Sequence, residues 1–298
     1  MGKAIADRHG EARAVFDTAD RSLGFSLSKL CFEGPDEELQ LTENTQPAIL
    51  ATSTALERVL RRSSVRPAYV AGHSLGEYSA LVAAGALEFE AALGLVRKRG
   101  RYMQEAVPVG KGAMAAILGL SDEDVANVCR RVVESSEDWI VSPANLNGAG
   151  QVVIAGHAEA VNRACDEAKA AGAKRAILLS VSAPFHCALM EPAARRLASD
   201  LDEAQLSDLD VPLFTNVDAK PITKGSEARE ALERQVASPV KWGETIEALA
   251  DHGVTRFAEV GPGRVLSGLA RKIVRGAETY AVEAPESVDN FLEEARLV

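Results

Sequence analysis

The stretch Gly72-His73-Ser74-Leu75-Gly76 has the spacing G-x-S-x-G. In that pattern a serine rides a sharp turn between a strand and a helix, with its hydroxyl thrust outward as a nucleophile. The apolar segment 68–71 before it supplies the strand, and Leu75, Tyr78, Leu81 and Val82 at helical spacing after it supply the helix. The competing reading is a tight turn with an inert serine, because the pattern alone also arises by chance. A free hydroxyl is a poor nucleophile and needs a general base. Among His9, His73, His157, His186 and His252, the best placed is His186, where an extended segment ends in a proline-bearing loop and a helix begins. Such loops are where α/β proteins mount catalytic groups; a structural histidine satisfied by its neighbours is the alternative. His73 adjoins the serine, but successive side chains across a sharp turn diverge, so it reads as a support for the loop. Cys187 sits among apolar neighbours on a diverging side and is a weak rival nucleophile.

The segment 90–106 carries Arg97, Lys98, Arg99 and Arg101 within five residues, which ordinarily marks a solvated helix face. Periodicity singles out one of them. Ala92, Leu95, Val96, Tyr102, Met103 and Ala106 recur at three- and four-residue steps, and Arg99 falls inside that apolar stripe while Arg97 and Arg101 fall outside it. An inward guanidinium requires an anion, since an unpaired buried charge costs several kcal/mol. The anion is either an internal carboxylate or the carboxylate of a substrate, gripped by the planar fork that favours arginine over lysine. A serine nucleophile beside a carboxylate-binding arginine suggests transfer of an acyl group that bears a free acid.

These side chains need a frame. Helical patterns alternate with short β-branched runs, the signature of an α/β fold with a mostly parallel sheet. Strands are expected at 68–71, 113–118, 140–144, 152–155, 175–180, 212–216 and 256–260. Between 113 and 180 the order is strand, helix, strand, Gly-containing hairpin at 147–150, strand, helix, strand, which is the βαββαβ ferredoxin-like unit. Gly110-Lys111-Gly112 and Ser182-Ala183-Pro184 bracket it. The expected organisation is therefore a discontinuous larger α/β domain, 1–110 and 182–298, with a small ferredoxin-like subdomain, 111–181, inserted into it. Gly261-Pro262-Gly263 precedes an apparent helix, but Pro262 removes an N–H donor and the spacing is not G-x-G-x-x-G, so it reads as a tight turn rather than a phosphate cradle.

A chain of 298 residues with 47% hydrophobic and 26% charged residues can bury a sizeable core. Its net charge of -10 argues against a general nucleic-acid binder, so an anionic substrate must meet a local basic spot. Arg97, Lys98, Arg101, Lys174 and Arg175 are read as exposed, and each is equally a solvated residue or a receiver of phosphates or an acidic partner. The four cysteines lack any C-x-x-C spacing and suit reduced thiols rather than a disulfide frame or a metal site. The opening residues lack the apolar core of an export signal and no run approaches a bilayer span, so a cytoplasmic protein is expected.

Taken as a set, GHSLGEYSALVAAG around Ser74, RGRYMQEAVP from Arg99, NLNGAGQVVIAGH from Asn145, SAPFHCALM around His186, SPVKW ending at Trp242 and EVGPGRVLSGL from Glu259 resemble the malonyl-CoA:acyl carrier protein transacylase family across nearly the whole chain. The resemblance implies an α/β-hydrolase-like core with an inserted ferredoxin-like subdomain. It implies that Ser74 is acylated, that His186 is the general base and that Arg99 clamps the malonyl carboxylate. The backbone N–H of Leu75 then forms half of an oxyanion hole, and the backbone carbonyl of Lys241 orients the histidine. Gln46 in TENTQPA, Met103 and Asn145 match pocket-lining positions. Leu75 after the serine and Phe185 before the histidine resemble malonyl-type pockets. The implied reaction is ping-pong transfer from malonyl-CoA to acyl carrier protein for fatty acid or polyketide synthesis, by a monomer with no cofactor and no metal. A serine thioesterase or esterase shares the serine and the histidine and is the alternative activity.

The family begins with a short apolar strand and a Gly-Gln-Gly-Ser-Gln loop whose glutamine N–H completes the oxyanion hole, whereas this sequence opens at the helix that follows them. The expectation is an inner strand missing from the sheet, through a misplaced start or a real shortening. The loss of one oxyanion donor typically costs about 10²–10³ in rate, so a catalytically weakened relative is a further alternative.

Overall fold

The structure is a computed structural model and describes residues 1–295. The chain begins with helices α1 (Lys3–Arg8), α2 (Gly10–Leu23), α3 (Leu27–Glu33), α4 (Asp36–Leu39) and α5 (Thr42–Leu60), then forms β1 (Val70–Ala71), α6 (Gly76–Ala83) and α7 (Phe89–Glu105). A central stretch follows: β2 (Gly112–Leu118), α8 (Asp122–Glu134), β3 (Val141–Leu146), β4 (Gln151–His157), α9 (Ala158–Ala170) and β5 (Arg175–Leu178). The remainder comprises α10 (Glu191–Glu203), β6 (Leu213–Phe214), β7 (Pro221–Ile222), α11 (Gly225–Gln235), α12 (Trp242–Asp251), β8 (Arg256–Val260), α13 (Val265–Ile273), β9 (Glu278–Val282) and α14 (Pro285–Ala295).

The first core forms because α5 and α7 bury wide apolar faces against each other and against α2, α6 and α10. Leu50, Leu56, Leu81, Leu93, Val96 and Leu197 are all buried in it. The central stretch has its own core, for a simple geometric reason. Successive β2 side chains alternate across the sheet, so Ala115 and Ile117 meet the undersides of α8 and α9. Met114 and Ala116 face the other way, onto Cys187, with Phe185 and Leu189 packed alongside. That second face joins the central sheet to the loop that carries His186.

The central sheet has the spatial order β3-β4-β2-β5, and its pairs are antiparallel. The mostly parallel sheet is an expectation for the larger domain, not for this central stretch. A tight hairpin joins β3 to β4, with Gly148, Ala149 and Gly150 all at positive φ, and tight hairpins can link only antiparallel neighbours. Parallel pairing occurs in the rest of the chain, between β1 and β6 and between β8 and β9, while β7 pairs antiparallel with β6. The strands around Ser74 are shorter than expected, two residues each in β1 and β6. Among the described residues no strand links the β1-β6-β7 sheet to β8-β9, so β1 and β8 each keep an unpaired edge. Sequence reading missed β7 and β9.

Candidate active site

Ser74 lies between β1 and α6 with φ at 52°, in the left-handed region that a side chain seldom adopts. Two features hold it there. A Cβ at Gly72 would lie 2.0 Å from the backbone C and O of Gly76, so only glycine admits so close a turn; a Cβ at Gly76 would meet nothing within 4 Å. The Asn216 side chain, at the end of β6, then pins both sides of the turn. Its Oδ1 accepts from the Ser74 N–H at 2.7 Å, and its Nδ2 donates to the Gly72 carbonyl at 2.7 Å.

His186 also has positive φ, 59°, and is buried. Its Nδ1 lies 2.9 Å from the backbone carbonyl of Gln235. A carbonyl only accepts, so Nδ1 carries the proton and Nε2 is left as an acceptor for the Ser74 hydroxyl, 2.7 Å away. Burial first, then the neighbouring Arg99 cation, push the imidazole pKa down to about 3 against the raising effect of the Gln235 bond. The ring is therefore neutral and able to take a proton.

The orienting carbonyl is a correction to the sequence reading, which assigned it to Lys241. Gln235 is the last residue of α11, where helix carbonyls have lost their intrahelical donors and remain available. The Lys241 carbonyl instead caps α12, accepting from Thr245 N at 3.0 Å and Thr245 Oγ1 at 2.8 Å.

Arg99 is 2% exposed in the middle of α7. Its Nη2 donates to Ser74 Oγ at 3.0 Å and to Gln235 Oε1 at 2.8 Å, and its Nη1 donates to Gln46 Oε1 at 2.7 Å. None of these acceptors is a carboxylate. Gln46, in α5, also approaches the Met103 sulfur at 3.9 Å. Burial lowers the Arg99 pKa, with Tyr78 and Glu77 opposing. Three N–H groups are satisfied, and Nε has no partner among the described residues.

Of the residues singled out from sequence, Ser74, His186, Arg99, Gln46 and Met103 come together in this cluster. The Leu75 N–H, at the start of α6 beside the serine, has no acceptor among the described residues. Phe185 packs against the core under the histidine loop. Asn145 is buried in β3, bridged to Val240, and makes no hydrogen bond to the cluster among the described residues. His73 donates through Nε2 to Asn147 Oδ1 at 2.9 Å, and its ring lies 5.6 Å from that of Trp242. The Cys187 thiol donates to the Pro184 carbonyl, and burial pushes its pKa up to about 11, which leaves it protonated.

Sequence reading missed Glu77, Asn216 and Gln235. Glu77 had a signal: it is a single carboxylate before the otherwise apolar run of α6. Asn216 and Gln235 had none, because ordinary polar residues reveal their role only when distant segments meet. Of the basic residues read as exposed, Arg97 differs, while the Gly261-Pro262-Gly263 turn is no phosphate cradle, as expected. Arg97 is half-buried, with its guanidinium over the Phe25 ring, and Lys98 and Arg101 face Asp200 and Glu43. The N-terminus of α13 after Gly261-Pro262-Gly263 is occupied by the chain itself, since Glu259 accepts from Leu266 N and Ser267 N at 3.1 and 2.7 Å. No group of metal-ligating side chains occurs among the described residues, and no described helix is long and apolar enough to cross a membrane.

Comparison with known proteins gives a consistent picture. Residues 1–288 match the family described as acyl transferase domain. A Bacillus subtilis (strain 168) protein named malonyl CoA-acyl carrier protein transacylase is 50% identical over 289 residues, 97% of this chain and 90% of its own length. The Escherichia coli (strain K12) protein of the same name is 50% identical over 280 residues, 94% of this chain and 90% of its length. Among solved structures, a malonyl-transacylase in complex with its type II polyketide acyl-carrier protein superposes with a TM-score of 0.95 at 46% identity, covering 99% of this chain and 94% of the other. The Coxiella burnetii malonyl CoA-acyl carrier protein transacylase superposes equally well, with a TM-score of 0.95 at 41% identity, covering 98% and 92%.

Proposed function

The chain belongs to the acyl transferase domain family, and from that premise we propose that it transfers malonyl from malonyl-CoA to the phosphopantetheine thiol of acyl carrier protein through a malonyl ester on Ser74. His186 Nε2 takes the hydroxyl proton as Ser74 Oγ attacks the thioester carbonyl, and the same proton then goes to the departing CoA sulfur. In the second half the carrier thiol gives its proton to His186, attacks the ester, and Ser74 is regenerated. The Gln235 carbonyl holds the imidazole in the required tautomer, as a carboxylate does in the usual triad. The Leu75 N–H points to one half of the oxyanion site.

The observation that carries this reading is the buried Arg99 guanidinium 3.0 Å from Ser74 Oγ. A thioesterase acting on simple acyl chains has no use for a buried cation beside its nucleophile, whereas a malonyl ester puts a carboxylate within reach of it. Gln46 and Met103 line the same space, and Phe185 and Asn145 are proposed to complete the pocket from the histidine loop and β3. The division into a core of 1–110 and 182–298 and a ferredoxin-like subdomain of 111–181 is supported by the β3-β4-β2-β5 order and by the separate core under α8 and α9. The site then lies where the two meet.

Intact mass spectrometry after brief exposure to malonyl-CoA tests the proposal. A single malonyl adduct is expected on the wild-type chain, discharged by holo acyl carrier protein and absent from Ser74→Ala. An adduct that persists in Ser74→Ala would refute it.

A further inference from the structure

Glu77 takes no part in the chemistry above, yet it is 1% exposed one turn beyond the nucleophile. Its Oε2 accepts from Gln235 Nε2 at 2.7 Å and from the Asn216 backbone N–H at 3.2 Å. Its Oε1 is buried with no partner among the described residues. A buried carboxylate with only half of its capacity used is costly, because water has been removed and little has replaced it. Burial accordingly raises its pKa, to about 7. Nothing in the transfer reaction so far explains why a carboxylate stands here.

The Gln235 side chain supplies the reason. A carboxamide is unsymmetrical, and reversing it exchanges an acceptor for a donor. Here the oxygen end accepts from Arg99 Nη2 at 2.8 Å. The nitrogen end donates to the Ser74 carbonyl at 3.0 Å and to Glu77 at 2.7 Å. If the amide were reversed, its NH2 would face the guanidinium, donor against donor, and its oxygen would face a carboxylate and a carbonyl, acceptor against acceptor. Glu77 Oε2 accepts whether the group is ionised or carries a proton on the unpartnered Oε1, so it holds the amide one way round. The Gln235 oxygen is in turn one of two acceptors, with Gln46 Oε1, that aim Arg99 at Ser74 Oγ.

We propose that Glu77 is a positioning residue for the substrate clamp: its carboxylate fixes the Gln235 amide, and through that amide the aim of the Arg99 guanidinium at the acyl group on Ser74. The arrangement also gives the buried cation a nearby anion without occupying the guanidinium directly, since one amide is interposed. A direct Arg99–Glu77 pair would compete with the substrate's carboxylate for the same N–H groups. The interposed amide takes one of those N–H groups through a neutral acceptor, a weaker bond than an ion pair and more readily given up to the substrate's carboxylate. The proposal rests on the assignment of Arg99 as the carboxylate clamp.

The test uses the whole chain and compares malonyl-CoA with acetyl-CoA as donors to holo acyl carrier protein. Glu77→Leu removes the acceptor at similar size; Glu77→Gln keeps an acceptor oxygen and can set its NH2 where Oε1 now has no partner. Glu77→Leu is expected to lower kcat/KM for malonyl-CoA by about ten- to a hundredfold, the range for a hydrogen bond to a charged group. The loss should come mainly through KM, and acetyl transfer should change by less than about threefold. Glu77→Gln should recover most of the malonyl preference. In an Arg99→Ala background Glu77→Leu should have no further effect on the malonyl-to-acetyl ratio. Equal losses with both donors would overturn the proposal, as would an unchanged ratio in Glu77→Leu. If Arg99→Ala itself leaves the ratio unchanged, it is the clamp assignment that fails, and the two failures are separable. Thermal melting reports whether Glu77→Leu folds; if it does not, Glu77→Asp withdraws the carboxylate by one methylene and is judged by the same ratio.

Discussion

Replacing Arg99 by alanine tests the central claim about substrate choice. In the native cluster the guanidinium donates to Gln46, Gln235 and Ser74 at 2.7, 2.8 and 3.0 Å, and it is 2% exposed. A malonyl carboxylate entering this space gives up its water and receives the guanidinium in return. Without the arginine the carboxylate is buried unpaired, which costs about 3–5 kcal/mol. At about 1.4 kcal/mol per decade that is roughly two to three and a half orders of magnitude in malonyl transfer. An acetyl group carries no carboxylate. It should lose only what the Arg99–Ser74 hydrogen bond contributes, about 1.5 kcal/mol, or roughly tenfold. The ratio of malonyl to acetyl transfer should therefore fall at least about tenfold. Loading of holo acyl carrier protein from each donor, followed by intact mass, measures both rates on one scale. Arg99→Lys keeps the charge without the planar fork and should lie between wild type and alanine. A common loss for both donors would refute the clamp, because it would show that Arg99 acts on the nucleophile or the fold rather than on the carboxylate.

Two further outcomes follow from the geometry. Gly72→Ala forces a Cβ to within 2.0 Å of the Gly76 backbone, where no side chain can yield, and should destabilise the protein by about 3 kcal/mol or more, whereas Gly76→Ala, with open space, should be close to neutral in urea denaturation. The pH dependence has two opposing parts. The His186 pKa is lowered from 6.5 to about 3, so its contribution is present above about pH 6.5 and is lost as pH falls through 3, about 4–5 kcal/mol in all. The Glu77 pKa is raised from 4.5 to about 7, so its contribution is present below about pH 4.5 and is lost as pH rises through 7, about 3 kcal/mol. From these two groups stability should be greatest between about pH 4.5 and 6.5, and Glu77→Gln should abolish the alkaline decline; an unchanged decline would assign it to other groups.

Much of this was legible in the residues alone. The G-x-S-x-G spacing marks a turn that local backbone sterics enforce, and Gly72 meets that requirement by itself. The three- and four-residue periodicity of α7 requires Arg99 to face inward, because a helix fixes which residues share a face regardless of what it packs against. The alternation and hairpin of the central stretch likewise follow from short-range rules, and β8 falls at the segment expected from its sequence, 256–260.

Tertiary structure decided what those groups touch. The oxygen that orients His186 is a backbone atom at the end of α11, and every residue has a backbone carbonyl, so sequence cannot say which one is used. The same holds for Asn216 and Gln235, which reach the serine from 142 and 161 residues away. The sheet's mixed pairing and the β9 partner of β8 also depend on contacts between distant segments. A pattern in sequence records the constraint a residue places on its own neighbourhood; the hydrogen bonds that orient this site are made between neighbourhoods, and only the folded chain brings them within 3 Å.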